Sequence, residues 1–161
     1  MATESRDYGR EAVDRHRETR GKVSIAPKIK VETLDDLSIA YTPGVATVCM
    51  TIAGDKSESF QLTNRANTIA VVTDGSAVLG LGNIGAEAAM PVMEGKSVLF
   101  KSLAGVDAIP ICLANQSIDS IIETVRNLAP SFGGINLEDI AAPGCFEIED
   151  ALQNLGIPVF H

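Results

Sequence analysis

Residues 68–86 read T-I-A-V-V-T-D-G-S-A-V-L-G-L-G-N-I-G-A, and the reading of this stretch decides the fold. Thr68–Thr73 is a short β-branched run of the kind buried on both faces in a parallel sheet. Asp74-Gly75 closes it. A glycine-rich stretch follows, and then a helix is expected over about 84–93. Outward from this unit the alternation continues. Residues 97–100 and 108–113 read as two more strands. Ser117 can cap a helix whose apolar residues Ile118, Ile121, Ile122, Val125, Leu128 and Ala129 fall on one face. Gly133-Gly134 leads into a strand over 135–137, residues 143–155 read as a helix stopped by Gly156, and 157–160 as a last strand. Strands and helices alternating at this spacing predict an α/β fold, an open and largely parallel sheet flanked by helices.

The N-terminal part is different in texture. Residues 5–20 carry many charges and few large apolar side chains, which suits a solvated helix or a helix at a subunit contact. Residues 21–31 alternate loosely around Pro27 and read as extended or loop. Thr33-Leu34-Asp35-Asp36 has the character of a capping box, with Asp in place of the usual Glu or Gln, and should open a short helix through about Ala40. Tyr41-Thr42-Pro43 breaks it, and Pro43 suits the first position of a helix over about 44–52, ended by Gly54. The domain division expected is therefore a helical segment over 1–20 and one domain over 21–161. The chain stops at His161 directly after a strand, the ending expected of a cut inside a larger protein.

Composition narrows the function classes. The chain has 161 residues, 45% of them hydrophobic and only 4% aromatic, and a formal charge of −8. Mean hydropathy is +0.16 and the isoelectric point about 4.7. An aliphatic interior suits an α/β core, and the acidity argues against nucleic acid or an anionic membrane as partner. Cys49, Cys112 and Cys145 are odd in number and form no C-x-x-C pair, so they read as buried or half-buried free thiols in a reduced, cytoplasmic compartment. The charged N-terminus is not that of a signal peptide, and no apolar run approaches the ~20 residues that span a bilayer.

Within the opening stretch, Gly80-Leu81-Gly82-Asn83-Ile84-Gly85 spells the dinucleotide fingerprint G-x-G-x-x-G. A working fingerprint needs a strand running straight into its first glycine and an acidic residue ~20 positions on. Here six residues separate Thr73 from Gly80, and Lys101 stands where the acid should be. A lysine there leaves a 2′-phosphate contact open. The competing reading is a tight turn with close helix–sheet packing.

Six stretches in unbroken order carry a resemblance: Y-T-P-G-V-A (41–46), V-V-T-D-G (71–75), L-G-L-G-N-I-G-A (79–86), P-V-M-E-G-K (91–96), F-G-G-I-N-L-E-D-I (132–140) and C-F-E-I-E (145–149). Together they resemble the N-terminal domain of the malic enzyme family, in its short bacterial and archaeal form, over nearly everything from His16 to His161. The resemblance implies oxidative decarboxylation of L-malate to pyruvate and CO2, with NAD or NADP and Mg2+ or Mn2+. It makes Tyr41 the general acid and Lys96 the general base. Glu138 and Asp139 become two of three acidic metal ligands, the third following the residue equivalent to His161. Leu79 and Gly80 are placed beside the substrate. The nucleotide is held mainly by a C-terminal Rossmann domain outside this chain, and a homodimer is implied. The malolactic enzymes share much of the pattern, and a stand-alone nucleotide-binding module using Gly80 to Gly85 is the other alternative. Ala77 stands where animal-type members carry a substrate-binding arginine. Gly144 stands where short forms usually have a basic residue.

The residue types suit this chemistry. Loss of hydride from a secondary alcohol requires the hydroxyl proton to leave, and an amine accepts it only when neutral, a form that burial and a nearby cation favour. The enolate left by decarboxylation is stabilised by a hard cation, and Mg2+ or Mn2+ prefers carboxylate oxygens such as those of Glu138 and Asp139. A phenol at a rigid helix break, Tyr41, can protonate the enol carbon. Taken singly, each residue has an ordinary reading: a surface lysine, a solvated acidic turn, a capping tyrosine. His16 reads as an exposed helix residue, and His161 as uninformative.

Overall fold

The computed structural model describes residues 6–161; residues 1–5 of the expected N-terminal helical segment lie outside them. The chain runs through α1 (Tyr8–Thr19), α2 (Leu34–Ala40), α3 (Val45–Gly54), α4 (Ser59–Leu62), β1 (Thr68–Thr73), α5 (Ala86–Ala104), β2 (Asp107–Cys112), α6 (Ile118–Leu128), β3 (Gly134–Leu137), α7 (Gly144–Leu152) and β4 (Val159–Phe160). The strands form one sheet in the order β2-β1-β3-β4. All pairs are parallel, with Val71 opposite both Pro110 and Asn136.

The order follows from burial. Every residue of β1 but Ile69 is buried, and β3 is buried throughout, so these two aliphatic strands take the centre. One face carries α6 and α7, where Ala70, Val72, Ile135 and Leu137 meet Ile121, Val125, Ile148 and Leu152. The other face carries α5, with Val71 against Met93. Ile121, Ile135, Leu137, Ile148 and Leu152 are each at most 1% exposed, a burial that contributes about 1.5–3 kcal/mol per side chain.

The capping box forms as the sequence indicates. Thr33 accepts from the Asp36 amide, and the Asp36 carboxylate accepts from the Thr33 amide at 2.9 Å. Ser117 likewise caps α6. One element differs in kind. Residues 97–100 are not a strand but the fourth turn of α5. Their apolar residues extend the helical spacing Ala89, Met93, Ser97, Phe100 that packs on the sheet, and Gly95 does not interrupt it. Lys96 therefore sits mid-helix rather than before a strand.

Two smaller expectations also change. Cys145 is buried and Cys112 half-buried, but Cys49 is exposed, because α3 covers no core. His16 is half-buried, its Nδ1 2.6 Å from the Ala12 carbonyl. Leu34–Gly54 is long and apolar enough by composition to cross a membrane. It is divided at 41–44 into helices of 7 and 10 residues, and ten helical residues reach only about 15 Å against a ~30 Å hydrocarbon core. None of its residues is buried.

Candidate active site

In an open α/β sheet, ligands bind beyond the carboxyl ends of the strands where the strand order reverses. Here that point lies between β1 and β3, since α5 carries the chain one way to β2 and α6 brings it back to β3. The two strand ends are Thr73-Asp74-Gly75 and Leu137-Glu138-Asp139.

Glu138 continues the ladder, its amide donating to the Val72 carbonyl at 2.8 Å. Its carboxylate reaches α5, where Lys96 Nζ lies 3.0 Å from Glu138 Oε2. The Lys96 side chain is 35% exposed and that of Glu138 20%, so the pair is shielded rather than buried. Asp139 follows with φ +53°, a left-handed conformation that a residue other than glycine seldom takes. Burial, then the neighbouring Glu138 charge, raises the Asp139 carboxyl above the usual carboxylate range, with Lys96 opposing.

Both carboxylates line a cavity of about 280 Å³ with Ala77, Cys145 and His161. Ala77 adds no charge to its lining. His161 is the residue that sequence reasoning undervalued. Its Nδ1 lies 2.6 Å from Glu149 Oε2, and its ring stands edge-on to Phe146 at 5.3 Å. Phe146 and Glu149 are one turn apart on α7, so both side chains reach the same ring. A larger, mostly apolar cavity of about 530 Å³ lies beside the edge strand β2, between Val23, Ile25 and Ile109. It contains none of the acidic pair.

The glycine stretch is a tight hairpin. Val78 and Gly82 exchange backbone hydrogen bonds, and Gly80, Gly82 and Gly85 all take positive φ. The amides of Ile84 and Gly85, at the start of α5, both donate to the Gly75 carbonyl. These two amides are engaged within the loop and are not offered to a pyrophosphate. Leu79 is 93% exposed at the tip.

The structure thus brings Lys96, Glu138 and Asp139 together and leaves Leu79 and Gly80 on a solvent-facing turn. Tyr41 caps the C-terminal end of α2 through its amide. It is 67% exposed and does not line the cavity of the acidic pair.

Two adjacent carboxylates at a strand end, one made harder to ionise by burial and then by the other's charge, fit part of an oxygen ligand set for a hard divalent cation. Among the described residues no third His, Cys, Asp or Glu completes such a cluster.

The profile described as "Malic enzyme, N-terminal domain" matches residues 19–117 and 114–153. The chain belongs to the malic enzyme family. It is 61% identical over 142 residues to the NAD-dependent malic enzyme of Geobacillus stearothermophilus, covering 88% of this chain and 30% of that protein. It is 57% identical over 152 residues to the bifunctional malic/malolactic enzyme of Bacillus subtilis, covering 94% and 37%. NADP-dependent malic enzymes are also among its relatives. The crystal structure of the NAD-dependent malic enzyme from Thermotoga maritima superposes with a TM-score of 0.91 at 52% identity, over 93% of this chain and 42% of that one. The chain therefore spans only part of the length of these relatives, from 19% to 42%, and the residues of this chain that the family model matches include all six stretches quoted above.

Proposed function

We propose that this chain is the substrate- and metal-binding part of an enzyme that oxidatively decarboxylates L-malate to pyruvate and CO2 with NAD or NADP. The observation that carries the reading is the ion pair of Lys96 with Glu138 beside Asp139 at the switch point of the sheet. Glu138 and Asp139 would hold Mg2+ or Mn2+, and the cation, when bound, supplies Lewis-acid stabilisation to the developing enolate. In that role Glu138 gives up its ion pair, and Lys96 is left to take the C2 hydroxyl proton at Nζ. Tyr41 would return a proton to the enol carbon. Its exposure on α2 means that the phenol needs a covering surface to meet the cavity. Leu79 and Gly80 would bring backbone close to malate. A second copy of the chain is the partner proposed for the bare α2–α3 surface, and a cytoplasmic location accords with three free cysteines.

A malolactic outcome, yielding lactate, is the second reading, favoured by the likeness to the bifunctional B. subtilis protein. The test uses the full-length protein. Lys96→Ala should nearly abolish malate turnover while leaving Mn2+ and nucleotide affinity within about threefold of wild type, the pattern of a group acting in the chemical step. Near-normal turnover would remove Lys96 as the base. Direct assay of pyruvate against lactate separates the two products.

A further inference from the structure

Asp139 is one of two non-glycine residues with positive φ among those described. Such a backbone costs roughly 1–2 kcal/mol and persists only where its surroundings impose it. The restraints come from the loop after β1 and act on the backbone that leaves the strained residue. The Ala77 amide donates to the Asp139 carbonyl at 2.9 Å. The Ser76 hydroxyl accepts from the Ala141 amide at 2.8 Å. That same hydroxyl donates its proton to Asp74 Oδ1 at 2.6 Å, and Asp74 Oδ1 also accepts the Ser76 amide at 2.9 Å. Asp74 is only 2% exposed, so the anchor of this chain of bonds is fixed in the core at the strand end.

The hydroxyl is used twice, once as donor and once as acceptor, on a single atom. Only serine and threonine offer both from a short side chain. The result is a rung between the loop after β1 and the turn after β3, across the switch point. It ties the backbone two residues beyond Asp139 to the loop after β1.

We propose that Ser76, anchored on Asp74, is a positioning residue for the acidic pair: it holds the turn after Glu138 in the conformation in which both carboxylates can take one divalent cation. This rests on the reading of Glu138 and Asp139 as ligands. Ser76 does not touch the cation. It acts through the Asp139 backbone, as residues behind a ligand shell do.

The test is Mn2+ titration of the full-length protein without malate or nucleotide, read by the free-Mn2+ paramagnetic resonance signal. Ser76→Ala should raise the Mn2+ Kd by about tenfold or more, and Ser76→Thr, which returns the hydroxyl, should stay within about threefold of wild type. Hydrogen exchange at the Ala141 amide should quicken in Ser76→Ala and not in Ser76→Thr. Ser76→Cys keeps the volume with a poor acceptor and should behave as Ser76→Ala, should the alanine variant fold poorly. An unchanged Kd in Ser76→Ala or Ser76→Cys, with binding lost in Asp139→Asn, overturns the positioning role and leaves the metal site standing. Equal losses in Ser76→Thr and Ser76→Ala also overturn it, because the hydroxyl is then not the cause. Full Mn2+ affinity in Asp139→Asn takes Asp139 out of the ligand set, and this proposal falls with it.

Discussion

Gly75 and Gly85 are in contact across the loop that separates β1 from α5. The Gly85 amide donates to the Gly75 carbonyl at 3.2 Å, and a Cβ built on Gly75 would run into the Gly85 carbonyl. Gly75 also has φ +68°, so an alanine there meets both a left-handed backbone and a backbone collision. Gly80, with φ +77°, has open space around it. Gly75→Ala should therefore destabilise by about 2–4 kcal/mol and Gly80→Ala by about 1–2 kcal/mol. Denaturant midpoints measured side by side decide this. Equal losses would mean that the close approach of the two glycines contributes nothing.

Asp139 carries a second consequence, in stability. Burial and the Glu138 charge both disfavour its carboxylate. Asparagine matches its shape and tolerates a left-handed backbone. In cation-free buffer near neutral pH, Asp139→Asn should unfold at the same temperature as wild type or above it. Mn2+ at 100 times its Kd should stabilise wild type by about 2.7 kcal/mol through linkage and the variant far less. Thermal scans with and without Mn2+ check the pair of outcomes, and equal Mn2+ shifts in both proteins would take Asp139 out of the ligand set.

At the far edge of the sheet, Lys101 Nζ lies 2.7 Å from Asp107 Oδ1, and Asn67 adds a bond at 3.1 Å to Oδ2. The bond from Lys101, first, holds the Asp107 carboxyl below its ordinary value, with burial opposing. A depressed folded value means stability that is present above the unfolded pKa, about 3.9, and lost as pH falls through the folded one. The stability difference between wild type and Asp107→Asn should thus be flat above about pH 5 and shrink on acidification. Both side chains are more than a third exposed, so the difference should be below about 1 kcal/mol and smaller in high salt. A difference that grows toward low pH would contradict the assignment.

Much of this architecture is visible in the chain. The β-branched run of β1, the capping box at Thr33 and Asp36, and the single apolar face of α6 are local signals, and each formed where it was expected. Residues 97–100 were not legible, because S-V-L-F is equally a strand or one turn of a helix, and only its register with Ala89 and Met93 decides. The candidate site was legible as residue types in order, Lys96 with Glu138 and Asp139, which the fold brings together. What holds it was not. The left-handed backbone at Asp139 and the Ser76 rung depend on two loops meeting across the sheet, and nothing local marks an aspartate for that conformation. The grip of Glu149 and Phe146 on His161 likewise joins residues more than ten positions apart.

The α2–α3 surface leads to the last prediction. Leu34, Ile39, Tyr41 and Met50 are 81%, 75%, 67% and 72% exposed, and neither helix has a buried residue. Exposed apolar side chains on two neighbouring helices that bury nothing are unfavourable in water. A second copy laid on it would bury these residues and would also enclose Tyr41, the one proposed catalytic group that the chain leaves in solvent. Ile39→Asp with Met50→Glu places two charges in that contact while touching nothing in the core. The double variant should run at half the wild-type mass by light scattering coupled to size exclusion, with its thermal midpoint lowered and made less dependent on protein concentration. Malate turnover should fall with the dimer fraction. A variant that keeps the wild-type mass would show that this surface is not where two copies meet, and one that becomes monomeric at full activity would show that Tyr41 needs no such cover.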